Sequence, residues 1–350
     1  MKTNAWLAFA AATVTVVIAA IYDLPIGDPD GASGPSYIRM PLVVVVVLAI
    51  DVVVRAALAA WRRGVSRAVL GDVVRDRLSW PNLRFTLVGL VSWYVVYASM
   101  RNLKSFVPEV NGRLDDHTLD VVDRAFLFGH RPGPLLHEVL GTGWAAHVLS
   151  FSYLTWIALV PLSLAVSLVW IRHARISTWW ITAVSFDWLI GVALNYLVPT
   201  VGPIYVRPQD FSELAGSKTS ALQDSMWSER LAMLADPHHA DLQNIAAFAS
   251  LHVAVVVTAC VIARRAGLPR VVLWALRGFL VLTCLGTVYF GWHYLADVVA
   301  GLALGAAGAW LGEITTRGRD DAERVQEREA QSSVRRTFPV AVRGRASSRS

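Results

Sequence analysis

The chain has 350 residues, of which 55% are hydrophobic and only 17% charged, and a formal net charge of +6. A soluble protein of this length would carry about 25% charged residues, so the composition excludes an ordinary soluble domain. Cys260 and Cys284 both lie in apolar stretches, which excludes a disulfide framework or a thiolate metal site.

Eight apolar segments are predicted as spans: 5–22, 40–61, 85–100, 144–170, 178–198, 245–263, 271–289 and 293–314. The expected fold is an all-α, polytopic membrane helix bundle of about eight spans. The first segment follows Lys2 and reads as an anchor, because its apolar run is long and no small-x-small site precedes Asp23. Asp51 and Arg55 lie one helical turn apart within the second span, a spacing that predicts a mutual ion pair. Asp187 in the fifth span and Arg277 in the seventh are expected to pair likewise. Between the spans, 119–140 carries apolar residues at helical spacing broken by Gly129 and Pro132, which predicts short interfacial helices. Segment 209–244 is polar and predicts a lid or short helix. Its run Asp236-Pro-His-His-Ala-Asp241 superficially resembles a metal cluster, but the spacing fits no compact tetrahedral site.

Basic residues assign the sides. Lys2, the arginines of 62–84, 172–175 and 264–270, and those of the tail from Arg317 account for 21 of the 32 Lys and Arg residues. They fall on one alternating set of inter-span segments, so that set and both termini are expected to be cytoplasmic. The positive charge is then an orientation signal with no nucleic-acid partner implied. Arg101, the run 199–208, His252 and His293 all fall at the outer ends of spans. The distribution of basic residues is independent of them, so their convergence on one membrane face carries weight.

Two motifs hold the chemistry, Phe248-Ala249-Ser250-Leu251-His252 and Gly291-Trp292-His293-Tyr294-Leu295-Ala296-Asp297. Asp297 stands four residues after His293, on the same helical face. A carboxylate on one imidazole nitrogen fixes the tautomer and leaves the other nucleophilic. His252, with an ordinary pKa near 6.5, suits proton donation to a leaving alkoxide. Phosphate oxygens also need donors and cations. Arg101 and Lys104 at the outer end of the third span, Arg207, Tyr205 and Ser250 at a helix start are the candidates. The plain alternative is an interfacial histidine beside a helix-capping acid.

These segments, with Asn195-Tyr-Leu-Val-Pro-Thr-Val-Gly-Pro-Ile-Tyr205, resemble the motifs of the type 2 phosphatidic acid phosphatase superfamily. Within it the chain is most similar to the inositol phosphorylceramide synthase-like, aureobasidin-resistance branch. The resemblance covers roughly 85–314 and implies a six-helix lipid-phosphatase-like core and metal-independent phosphoryl transfer. It implies His293 as nucleophile, oriented by Asp297, with His252 as acid and base. Residues 1–84 would be two additional spans with a basic cytoplasmic loop, and 315–350 a disordered arginine-rich tail. The substrate would be a lipid phosphate, diphosphate or phospholipid headgroup in the outer leaflet, with no cofactor. The chain departs from the superfamily at two cations: Thr200 stands where the Lys-x6-Arg-Pro motif begins, and Thr287 six residues before His293 replaces an arginine. Arg101 is the expected substitute. A lipid or ion transporter working through the intramembrane charge pairs, and a non-catalytic membrane scaffold, are the competing readings.

Overall fold

The computed structural model describes residues 1–30, 34–64, 66–169, 174–214 and 217–337, without the side chains of 63 and 318–337. Among the described residues the secondary structure is helical throughout, with no strand. In chain order the helices are α1 (Lys2–Tyr22), α2 (Ser36–Arg63), α3 (Arg67–Arg77), α4 (Trp80–Val110), α5 (Asp116–Phe126), α6 (Pro132–Leu140), α7 (Trp144–Val169), α8 (Ala174–Leu197), α9 (Pro203–Val206), α10 (Lys218–Ala235), α11 (Leu251–Arg265), α12 (Arg270–Tyr289) and α13 (Leu295–Thr337). Seven of them, α1, α2, α4, α7, α8, α12 and the first part of α13, are long and apolar enough to cross a membrane. The eighth expected span is α11, only 15 residues long.

That shortening has a local cause. Residues 245–250 are apolar enough to extend a helix, yet their backbone is bonded elsewhere. Ala247 N donates to Thr200 O (2.9 Å), Phe248 N to Thr200 Oγ1 (3.0 Å) and Ile245 N to Gln243 Oε1 (2.7 Å). Ser250 then caps α11 by accepting from Val253 N at 3.4 Å, which places His252 in the first helical turn. At the other extreme, α4 runs ten residues past its expected end and presents Arg101 and Lys104 one turn apart. The two interfacial helices expected in 119–140 are α5 and α6, and the polar segment 209–244 contains α10. Helix α13 continues through the junction expected at residue 315, and 338–350 lie outside the described residues.

In a bilayer, helices gain little from hydrophobicity against one another, so small residues that admit close backbone contact decide the packing. Gly301 and Gly305 put α13 against α11, where a Cβ on Gly301 would meet Ser250 O at 2.6 Å. Gly308 and Gly312 put the same helix against Ala183 and Asp187 of α8. These contacts fix α13, which carries Asp297 in its first turn and follows directly on His293, against α11, which carries His252 in its first turn. Helix α1 packs on α4 and α8, where Asn4 Nδ2 donates to Ser92 Oγ (2.9 Å) and Asn4 Oδ1 accepts from Ser185 Oγ (2.7 Å). Asn4→Ala should lower unfolding stability in mixed micelles by about 0.6–1.7 kcal/mol, the range of interhelical hydrogen bonds in membranes. An unchanged unfolding midpoint would remove the proposed role of this clasp.

The intramembrane charges divide. Arg55 Nε lies 2.9 Å from Asp51 as expected, and Arg77 of α3 joins them at 2.5 Å. Asp187 and Arg277 do not pair, contrary to expectation. Asp187 is buried and accepts from Thr258 Oγ1 (2.7 Å), while Arg277 lies 5.0 Å over the Trp274 ring. Spacing along two separate helices carries no information on their relative rotation, and the α8 face bearing Asp187 turns to α11 and α13.

Candidate active site

His293 sits in the turn between α12 and α13. Trp292 N and His293 N both donate to Thr287 O, at 3.0 and 3.2 Å. The last turn of α12 thus holds the His293 turn through a backbone carbonyl, while the Thr287 hydroxyl bonds back to Thr283 O at 2.9 Å. The 199–206 run closes on this turn backbone to backbone, with Ile204 N donating to Gly291 O at 3.0 Å. Gly202 has φ +101° and lies so close that a Cβ would stand 2.5 Å from Trp292 O, so only glycine fits there.

His293 Nδ1 lies 3.3 Å from Asp297 Oδ2, which also accepts from Tyr294 N at 2.9 Å. Burial, and then the positive charge of Lys104, push the His293 imidazole down to about 3 despite a hydrogen bond with the Ala247 backbone. It is therefore neutral, with its lone pair available, throughout the physiological range. The His252 ring meets the His293 ring at a centroid distance of 5.8 Å in a T-shaped arrangement. Tyr153 and Trp156 of α7 hold it from the sides at 4.9 and 4.3 Å, and Trp156 Nε1 donates to His252 O (3.0 Å). The two imidazoles thus come from different helices onto one point.

Between them lies a pocket of about 60 Å³ lined by Lys104, Asn195, Tyr205, Asn244, His252 and His293 among others. Lys104 is its one Lys, Arg, Asp or Glu among the described residues. The Oδ1 atoms of Asn195 and Asn244 and Nε1 of Trp292 are buried without a hydrogen-bond partner, so the pocket presents unused polar groups. Lys104, Tyr153 and His252 also line a larger cavity of about 550 Å³. Its inner walls are apolar, with Trp93, Met100, Ile157 and Val160, and its outer part carries Asp30, Arg39 and Arg101. A charged compartment is thus joined to an apolar one.

The residues expected from sequence separate into two groups. His252, His293, Lys104 and Tyr205 meet at the inner pocket, Asp297 stands behind His293, and Arg101 faces the adjoining cavity. Tyr205 donates to Gln223 O at 3.2 Å and stacks on Trp227 of α10 at 4.9 Å. Ser250 and Arg207 are placed differently from expectation. Ser250 is fully buried as a helix cap, and its N–H donates to Asp297 O (3.1 Å), so it is absent from the lining of the pocket. Arg207 lies 3.7 Å from Asp120 in a second small cleft, which Arg131, Asp123, Tyr294 and His293 itself also line. Its charge is shared with that carboxylate, and α9 and the following turn leave it out of the pocket that holds Lys104 and His252. Asp236 and His239 bond one another at 2.8 Å on the exposed surface.

Sequence reasoning placed α5 as an interfacial helix but missed the work of its acidic face. Asp116 accepts from Val201 N (3.0 Å), Gly202 N (2.9 Å) and Tyr294 Oη (3.1 Å). Asp123 accepts from Leu295 N (2.7 Å) and Ala296 N (3.1 Å), capping the first turn of α13. One short helix therefore ties the 199–206 run to the turn that carries His293. The available signal was the placement of Asp116, Asp120 and Asp123 at i, i+4 and i+7, one face of an interfacial helix. Burial pulls the Asp123 carboxyl up to about 6, and the nearby Asp297 and Asp120 add to the rise against the two capping N–H groups.

No curated protein and no solved structure matches the chain. The PAP2 superfamily model matches residues 117–311, more than half of the chain, from the first turn of α5 well into α13. Both histidines, Asp297 and Asp123 fall inside that stretch, Lys104 and Arg101 ahead of it, and the chain belongs to the PAP2 superfamily.

Proposed function

We propose that the protein transfers a phosphoryl group from a lipid at the extracytoplasmic membrane surface, through a phosphohistidine on His293. The observation that carries this reading is the approach of two imidazoles to 5.8 Å over one small pocket, with Asp297 behind one of them. Superfamily membership supports the reaction class, and the distribution of arginines supports the side of the membrane.

The chemistry follows from the placement. Nδ1 of His293 is committed to Asp297, so Nε2 attacks phosphorus while the bond to the leaving oxygen breaks. Burial, with the neighbouring His293 and Lys104, holds the His252 imidazole well below its ordinary value; the negative charge of the bound phosphate favours its protonated form, and His252 gives that proton to the leaving oxygen. The neutral His252 then takes a proton from water or an alcohol, whose oxygen attacks phosphorus as the N–P bond breaks and His293 is restored. Lys104 offsets negative charge on the non-bridging oxygens. With water as acceptor the result is hydrolysis; with an alcohol it is headgroup transfer, as the inositolphosphotransferase-like motifs favour.

The test is direct. Purified protein is incubated with labelled phosphatidate, a lipid diphosphate and a panel of phospholipids, with and without alcohol acceptors. Release or transfer of the phosphoryl group, with acid-labile and base-stable label on the protein, is expected. Absence of turnover and of labelled protein with every lipid would refute the proposal.

A further inference from the structure

We propose that Asp30, Arg39 and Arg101, supplied by the segment ahead of the superfamily match, form a subsite that selects lipids by charge. It admits a lipid with a single negative charge at its phosphate and rejects one bearing a second anionic charge. This rests on the phosphoryl-transfer reading and names its substrate class.

The first argument is position. The match begins at residue 117, yet part of the large cavity leading to His252 is built from the α1–α2 connection, α2 and α4. Helix α2 contributes Met40 and Val43 to the apolar wall and Arg39 to the polar one. The additional spans therefore shape the route to the histidines.

The second is construction. The connection is fastened to α4 at several points. Gly27 N donates to Asn102 Oδ1 (2.9 Å), and Asn102 Nδ2 donates back to Gly27 O (3.1 Å). Asp28 accepts from Asp30 N and from Ser36 N, both at 3.0 Å, which fixes the turn ahead of α2. Asp30 then accepts from Tyr97 Oη (2.8 Å) and Arg39 (2.6 Å) and stands 3.8 Å from Arg101, whose guanidinium also donates to Pro29 O. A carboxylate shared by two guanidinium groups and a phenol is a preorganised polar surface.

The third is charge. The inner pocket offers one cation, Lys104, which matches a phosphodiester monoanion and leaves half of a monoester dianion unmatched. The second cleft that His293 lines adds no surplus, since its Arg131 and Arg207 stand against Asp120, Asp123 and Asp210. The cavity outside adds none either. With Lys104 engaged at the inner pocket, Arg39 and Arg101 face Asp30, Glu229 and Asp241 there, two cations against three carboxylates among the described residues. A second anionic group on the lipid would therefore meet carboxylates that have no spare counter-charge, and like-charge juxtaposition is strongly selective.

The experiment compares kcat/KM for a phosphodiester lipid with a neutral headgroup against phosphatidate, in nanodiscs of fixed neutral lipid at constant ionic strength. Wild-type protein should prefer the diester by at least about tenfold. Asp30→Asn removes one carboxylate and should shrink that ratio by about tenfold through better use of phosphatidate. Glu229→Gln, on α10 and outside the connection, should move the ratio in the same direction, and it keeps the test decisive should Asp30→Asn fail to fold. Turnover by wild type with no preference, or with a ratio that neither variant moves, overturns the subsite while leaving the phosphohistidine intact. Failure of every lipid to label or turn over removes both proposals together.

Discussion

His293→Ala should abolish labelled phosphoenzyme and lower turnover by on the order of 10⁴-fold or more, the scale seen when a nucleophile is deleted. His252→Ala should lower it by a smaller factor, about 10²–10⁴-fold, and unequally across substrates. The asymmetry comes from what each ring does. In the proposed mechanism His293, beside Asp297, forms the bond to phosphorus, and no neighbour replaces it. His252 only moves a proton, so its loss is severe where the leaving oxygen is a poor one and mild where a phenolate departs unaided. A nitrophenyl phosphodiester should therefore recover most of the first step in His252→Ala. The second step still requires a base, so labelled protein should accumulate in that variant. Rapid-quench measurement of phosphoenzyme and product in both variants separates the roles. Equal losses for both leaving groups, or label retained in His293→Ala, would assign the chemistry to other residues.

The placement of these side chains beside one another was legible in the sequence because it is largely local. His293 and Asp297 are one helical turn apart, and His252 needs only the side of the membrane, which the arginines supply. Lys104 followed from its place one turn beyond Arg101. What was illegible depends on how distant segments meet. Ser250 looks like a phosphate ligand from its place at a helix start, but its side chain is used by Val253 N and its backbone by Asp297 O. Arg207 looks like a motif cation until Asp120, 87 positions earlier, is seen beside it. The expected Asp187–Arg277 pair failed for the related reason that helix rotation is not written in spacing. The three-acid face of α5 was visible in principle, but as a pattern it resembles any solvated interfacial helix. Only the bonds of Asp116 to 201–202 and of Asp123 to 295–296 give it a function.

Those bonds carry a prediction about pH. Asp123 caps α13 with both carboxylate oxygens, and its carboxyl titrates near 6. As pH falls through that value it gains a proton, and one of its two acceptor positions weakens together with the negative charge that favours a helix N-terminus. His293, pushed down to about 3, stays unprotonated over the same interval. Turnover should therefore decline below about pH 6 through displacement of the His293 turn, without loss of the nucleophile's lone pair. Asp123→Asn should be slower at every pH, by roughly tenfold to 10²-fold if the turn shifts by a fraction of an ångström, and its acid limb near 6 should vanish. Stability has a different sign. The raised Asp123 value favours the folded protein below its unfolded value near 3.8, and that contribution is lost as pH rises through about 6. The depressed His293 value acts oppositely, because the unfolded chain takes up a proton below about 6.5 that the folded one refuses until about 3. The two contributions oppose each other between about pH 6 and 3.8, so together they leave stability nearly level there even as Asp123→Asn flattens the activity profile. A kcat profile from pH 4.5 to 8 for wild type and variant, read beside unfolding midpoints, decides the matter: an acid limb unmoved in Asp123→Asn would mean that another group, not the α5 cap, sets it.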